Sequence, residues 1–361
     1  MKKYIRGLAL AGALTLAVAA CGEKPNEGAS GGTTNEANKD FKGCMVSDSG
    51  GFDDKSFNQT SYKGLQDAVT ELGIQEVKAE SKSDNDYPTN MTAMVQAGCN
   101  IIVPVGFKLA DATAAAAAAN PSIKFAIVDF AYEKPIANVK PLVFNTAQSS
   151  FLAGYLAAGM SQTGKVGTFG GLNIPTVTIF MDGFAEGVAH YNKTKSKNVQ
   201  VLGWNPATQK GLFTADFEDK AKGQQNGQNL ITQGADIVFP VAGPAGLGAL
   251  QAAKASGGKV NAIWVDTDGC ESAAEYCSVL LTSVYKGMDV AVKDAIKSAV
   301  ENNFTNAAYV GTLENSGTGL SPYHEFDSKI PAELKSEIDQ LKQDIIDGKV
   351  PVASKAQPKS S

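Results

Sequence analysis

Histidine and tryptophan are scarce, with two of each in 361 residues. His190 and His324 lie in no H-E-x-x-H helix and no Cys-x-x-Cys spacing occurs, so no metal site is expected. There is no strand-flanked G-x-S-x-G elbow and no P-loop. The glycine-rich "GPAGLG" (243–248) is neither G-x-G-x-x-G nor followed by the lysine and hydroxyl of a phosphate cradle, so no cofactor is expected. Basic runs are also missing. The formal charge is −5, and loss of Lys2, Lys3 and Arg6 with a leader takes it to −8, which argues against nucleic acid as a partner. Beyond residue 20 no apolar stretch of eighteen residues recurs, so no second membrane span is expected.

The N-terminus has a basic start, an apolar run "GLALAGALTLAVAA" and then Cys21. That pattern predicts a signal peptide over 1–20. "VAAC" resembles the lipobox of bacterial lipoproteins, which implies a lipidated (palmitate-bearing) Cys21 as the mature N-terminus. Residues 21–40 hold almost no large apolar side chain, and such a segment cannot offset its ordering entropy, so a tether is expected. Two or three acyl chains would hold it stably at a membrane face.

Four cysteines remain, Cys44, Cys99, Cys270 and Cys277, in a compartment that permits oxidation. Sequence alone allows three connectivities. The short spacing of Cys270 and Cys277 suits a local staple, which leaves Cys44–Cys99 as the second pair.

Near-continuous apolar runs alternate with helical patterns: 43–48, 75–80, 99–106, 124–129, 165–171, 199–204, 235–243, 259–266 and 278–285. This alternation predicts α/β architecture, with two doubly wound parallel sheets covered on both faces. A first crossing is expected near 145, just before the small-residue-rich helix around 151–160. If 75–80 is the second strand, the usual order makes the first and third strands neighbours and brings Cys44 near Cys99. Ser56 and Gln59 match a capping box at the start of a helix carrying Tyr62, Leu65, Val69 and Leu72.

Open parallel sheets bind ligands at the carboxyl ends of their strands. Three apolar runs end on an aspartate: Asp48, Asp129 and Asp266. Carboxylates accept from ring N–H groups and sugar hydroxyls but repel phosphate. Phe57 offers a flat apolar face, and Asn58 a donor and an acceptor beside it. Gly243, at another strand end, allows close backbone approach. The stretch "AIWVDTDG" resembles the opening of haloacid-dehalogenase-type phosphatases. It lies late in the chain, however, and Cys270 stands near where a hydroxyl residue is expected, so no enzyme is expected.

"DSGGFDDKSFNQ", "GFAEGV", "FEDKAKG", "QGADIVFPVAGPAGLG" and "VDTDG" followed by "LTSVYKGMDVAV" together resemble the basic membrane protein family of substrate-binding lipoproteins. Its best-known branch is the purine nucleoside receptor type. The resemblance covers most of residues 41–330. It implies a type I periplasmic-binding-protein-like fold whose two hinged lobes close on a nucleoside, with permease and ATPase subunits of an ATP-binding-cassette importer as partners. It implies base contacts from Asp48, Asn58 and Asp129, stacking by Phe57, and pairing of Asp266 with ribose hydroxyls assisted by Lys286, with the Gly243 backbone nearby. Phe217 best matches the second stacking aromatic, with Phe213 and Trp204 as neighbours that could take that place. A sugar receptor of the same fold is the alternative function. The expected division is 41–146 plus 268–300 for one lobe, 147–267 plus 301–350 for the other, and 351–361 as a flexible tail.

Overall fold

A computed structural model describes residues 38–358. The expected signal peptide, the lipidation site Cys21, the tether up to residue 37 and the last three residues lie outside the described residues. Among those described, no helix is long and apolar enough to cross a membrane.

The first lobe is built from β1 (Lys42–Val46), α1 (Phe57–Leu72), β2 (Gln75–Ala79), α2 (Tyr87–Gln96), β3 (Ile101–Pro104), α3 (Ala110–Ala119), β4 (Lys124–Val128) and β5 (Val139–Phe144). Helix α4 (Thr146–Met160) then opens the second lobe. There follow β6 (Lys165–Gly170), α5 (Pro175–Lys195), β7 (Gln200–Leu202), the hairpin β8 (Trp204–Asn205) and β9 (Lys210–Gly211), α6 (Lys220–Thr232) and β10 (Ile237–Val241). α7 (Leu247–Ala255), β11 (Asn261–Asp266), α8 (Gly269–Ser272) and β12 (Leu280–Lys286) complete that run. The chain returns to the first lobe with α9 (Met288–Val300) and β13 (Tyr309–Gly311). It ends on the second with β14 (Thr318–Leu320) and α10 (Ala332–Ile346).

The sheets run β13-β5-β4-β3-β1-β2 and β14-β12-β11-β10-β6-β7, and every pair is parallel except β12 with β14. The order 2-1-3-4-5 therefore occurs twice, so β4 in the first lobe corresponds to β11 in the second. The chain crosses between lobes three times, at 144–146, 286–288 and 311–318. This corrects the expected division. Residues 268–286 belong to the second lobe because β12 pairs with β11, and 309–311 belong to the first because β13 pairs with β5. Both assignments depend on pairing between distant strands, which local pattern does not carry.

Alternation along each strand supplies two cores per sheet. In β1, Met45 faces α1 and α9, whereas Cys44 and Val46 face α2 and α3. In the second lobe one face of the sheet packs on α4, α5 and α10, and the other on α6 and α7. A Cβ at Gly154 or Gly187 would lie 2.1 Å or 1.9 Å from a backbone carbonyl of the facing helix, so α4 and α5 pack with their backbones nearly touching. Cys44 is bonded to Cys99 and Cys270 to Cys277.

Residues 352–356 are not a free tail. Val352 and Ala356 pack on the second-lobe core. Ala353 N–H donates to Glu186 (2.9 Å) and the Ser354 hydroxyl to the buried Asp182 (2.6 Å).

Candidate functional site

The strand ends of the two sheets face each other across a cleft whose empty space, counting the part that merges with solvent, is about 620 Å³. All eight residues singled out in the sequence line it: Asp48, Phe57, Asn58 and Asp129 from the first lobe, and Phe217, Gly243, Asp266 and Lys286 from the second.

The loop between β1 and α1 is organised by Asp54, not by the expected capping box. Ser56 occupies the N-cap position of α1 but makes no side-chain cap. The buried Asp54 carboxylate instead accepts from the backbone N–H groups of Ser56 (3.0 Å), Asn58 (2.8 Å) and Gln59 (3.0 Å). It thereby satisfies donors that would otherwise be orphaned at the first turn. Burial raises its pKa above the usual carboxylate range, against those hydrogen bonds. Released from capping, the Ser56 hydroxyl crosses the cleft and donates to Asp266 Oδ2 at 2.9 Å.

Asn58 is fully engaged within the protein. Its amide donates to Asp48 Oδ1 (2.7 Å) and Asp54 Oδ2 (3.0 Å), and its oxygen accepts from Asp48 N–H (3.2 Å). Gly50 N–H also donates to Asp48 Oδ1 (3.2 Å), so both protein hydrogen bonds to this carboxylate fall on one oxygen. Oδ2 takes none and lies beside Gly106, another residue of the cleft lining. Burial pushes the Asp48 carboxyl up to about 6, partly opposed by the bond from Asn58.

Asp129 and Asp266 occupy corresponding places, at the ends of β4 and β11. Both are buried and both adopt left-handed backbone, with φ of 62° and 69°. That conformation is uncommon for a residue with a side chain, and such strain gathers at functional sites. Lys286, at the end of β12, lies between them, with Nζ 2.5 Å from Asp129 Oδ2 and 3.5 Å from Asp266 Oδ1. Burial alone would lower the Lys286 ammonium, but the two carboxylates outweigh it and the net shift is upward. Burial also raises Asp129, partly offset by Lys286.

The lysine also sits 5.1 Å from the ring centroids of both Phe57 and Phe180, within cation–π range. Phe217 covers Gly171, where a Cβ would come within 2.3 Å of its ring, and its carbonyl accepts from Ala245 N–H. Its rivals do not line the cleft. Phe213 packs edge-on to Trp204, whose indole N–H donates to Asp182 (3.0 Å).

Sequence reasoning missed Phe107, Ile174, Thr176 and Phe180 as cleft residues. The first follows a strand-ending glycine, so the strand-end rule could have found it. Phe180 lies inside α5 and carries no local signal. The phosphatase-like pair does not act at one place. Asp266 faces the cleft, whereas Asp268 accepts from Cys270 N–H (2.9 Å) and meets His324 Nε2 at 2.6 Å.

Residues 41–355 match the model of the Bmp family, described as ABC transporter substrate-binding protein PnrA-like. The ABC transporter nucleoside-binding protein BmpA of Lactococcus lactis is 31% identical over 343 residues, covering 90% of this chain and 92% of that protein. Basic membrane protein A of Borreliella burgdorferi is 31% identical over 309 residues, covering 84% and 86%. Among solved structures, a solute-binding protein of an ABC transporter system from Aeropyrum pernix superposes with a TM-score of 0.77 at 25% identity, over 86% of this chain and 92% of that one. This chain belongs to the Bmp family of PnrA-like substrate-binding proteins of ABC transporters.

Proposed function

We propose that the cleft binds a purine or related nucleoside, and that the protein, lipid-anchored through Cys21 at the extracytoplasmic face of the membrane, delivers it to a permease and ATPase. The observation that carries this reading is the lining of the cleft. Four carboxylates, Asp48, Asp54, Asp129 and Asp266, share it with the aromatic rings of Phe57 and Phe217 and with a single lysine. Such a site favours an uncharged ring with N–H donors joined to a hydroxyl-bearing sugar, and disfavours phosphate.

In this reading Asp48 Oδ2 accepts from the base, and Phe57 and Phe217 stack on it. Asp129 contributes a base contact and Asp266 accepts from sugar hydroxyls. The Gly243 backbone approaches the ligand closely, with φ of 51°. Asn58 holds Asp48 in place, because its own amide is already spent on Asp48 and Asp54. Lys286 keeps the acidic pair from repelling and shares Asp266 with the sugar. Ligand bridging the two lobes favours the closed state only through contacts absent when the lobes part.

No covalent step is required of these residues. Titration calorimetry with inosine, guanosine, ribose and galactose tests the reading. Tight binding of a nucleoside and weak binding of both sugars is expected, and tight binding of ribose or galactose alone overturns it in favour of a sugar receptor.

A further inference from the structure

We infer that Ser56 is a positioning residue for capture. It clasps Asp266 across the cleft, and this bond exists only when the lobes are closed. The two residues lie on different lobes, 210 positions apart, and the hydroxyl donates to Oδ2 at 2.9 Å. The fully buried Ser56 can do this because Asp54 has taken over the capping of α1. A second bond runs beside it. The indole N–H of Trp264, also fully buried, donates to the Lys55 carbonyl at 3.3 Å, again from one lobe to the other.

The clasp divides the Asp266 carboxylate. Oδ2 is held by Ser56, and Oδ1 is left to Lys286 at 3.5 Å and to whatever enters the cleft. Lobe separation breaks both bonds and returns a carboxylate and an indole N–H to water. The clasp therefore slows opening and fixes which oxygen the ligand meets. A hydrogen bond to a charged group is worth enough to change an equilibrium by roughly tenfold.

The choice of probe rests on the nucleoside reading; the clasp itself does not. Small-angle X-ray scattering of the unliganded, full mature chain reads the clasp without any ligand. Ser56→Thr is expected to match the wild type and Ser56→Ala to be more extended than it, with Trp264→Phe shifted the same way. A wild type as extended as Ser56→Ala overturns the inference. With inosine as probe, stopped-flow release from Ser56→Ala should be about tenfold faster, with association no slower than in the wild type. The same substitution should have no further effect in an Asp266→Ala background, where the acceptor is gone, as expected for residues acting through one bond. Equal release rates for wild type and Ser56→Ala, or additive effects with Asp266→Ala, overturn it. Failure of inosine to bind the wild type removes the nucleoside reading and leaves the scattering result to decide the clasp.

Discussion

Replacing Asp48 by asparagine should make the protein more stable and the receptor worse. Burial raises this carboxyl from 3.8 to about 6, so between those values the folded state holds a proton that the unfolded state has released. Stability contributed by this site therefore falls as pH rises through that window, and the full penalty is present above it. A difference of about two pKa units corresponds to roughly 3 kcal/mol, an upper figure because water in the cleft screens the charge. Asparagine keeps the bonds that Oδ1 accepts from Asn58 and Gly50 and removes the charge. Urea unfolding from pH 4 to 8 should show Asp48→Asn gaining on the wild type by about 1–3 kcal/mol at pH 7.5, with the difference fading toward pH 4. Asp129 is raised too but remains in both proteins and cancels in the comparison, whereas Asp54, which repels Asp48, is relieved by the same substitution and adds to the gain. Calorimetry on the same variant should show nucleoside affinity reduced roughly 100-fold, because the cleft-facing acceptor becomes a donor opposed to a ring N–H. Parallel pH–stability curves for the two proteins, or undiminished affinity in the variant, would refute the reasoning.

Lys286→Met leaves Asp129 and Asp266 buried without their shared cation. It should cost about 3–5 kcal/mol at neutral pH, less in acid where Asp129 takes a proton; thermal melts at pH 5 and 7.5 check this. Phe217→Ala should weaken nucleoside binding by roughly tenfold or more with little loss of stability. Phe213→Ala, which removes packing on Trp204, should do the reverse; paired calorimetry and urea curves separate them. The Cys44–Cys99 bond closes a span of 55 positions and Cys270–Cys277 one of 7. Removing them should therefore cost about 4 and about 2.5 kcal/mol respectively, measured by unfolding of the two cysteine-to-alanine double variants.

The cleft was legible because its strongest signals are local. Apolar strands ending at Asp48, Asp129 and Asp266 announce the ligand side of a parallel sheet wherever the sheet lies. Elements defined by distant partners were not. β5 contains Pro141 and alternates weakly, and β13 and β14 are three residues long and become strands only by pairing with β5 and β12. The lobe boundaries failed for the same reason. Ser56 shows a different limit. The S-x-x-Q spacing was present, but a carboxylate two residues earlier reached the same donors first. That competition left the serine free for a partner 210 positions away. The bridge between Lys286 and Asp129 spans 157 positions and had no signature in either segment.

The role of the cleft is tested most directly by native mass spectrometry of the protein, purified from an expressing cell without refolding. A population heavier than the apoprotein by the mass of a purine nucleoside, lost in Asp48→Asn and in Phe57→Ala, is the expected result. A population carrying a hexose or a phosphorylated ligand, unchanged by either substitution, would contradict it.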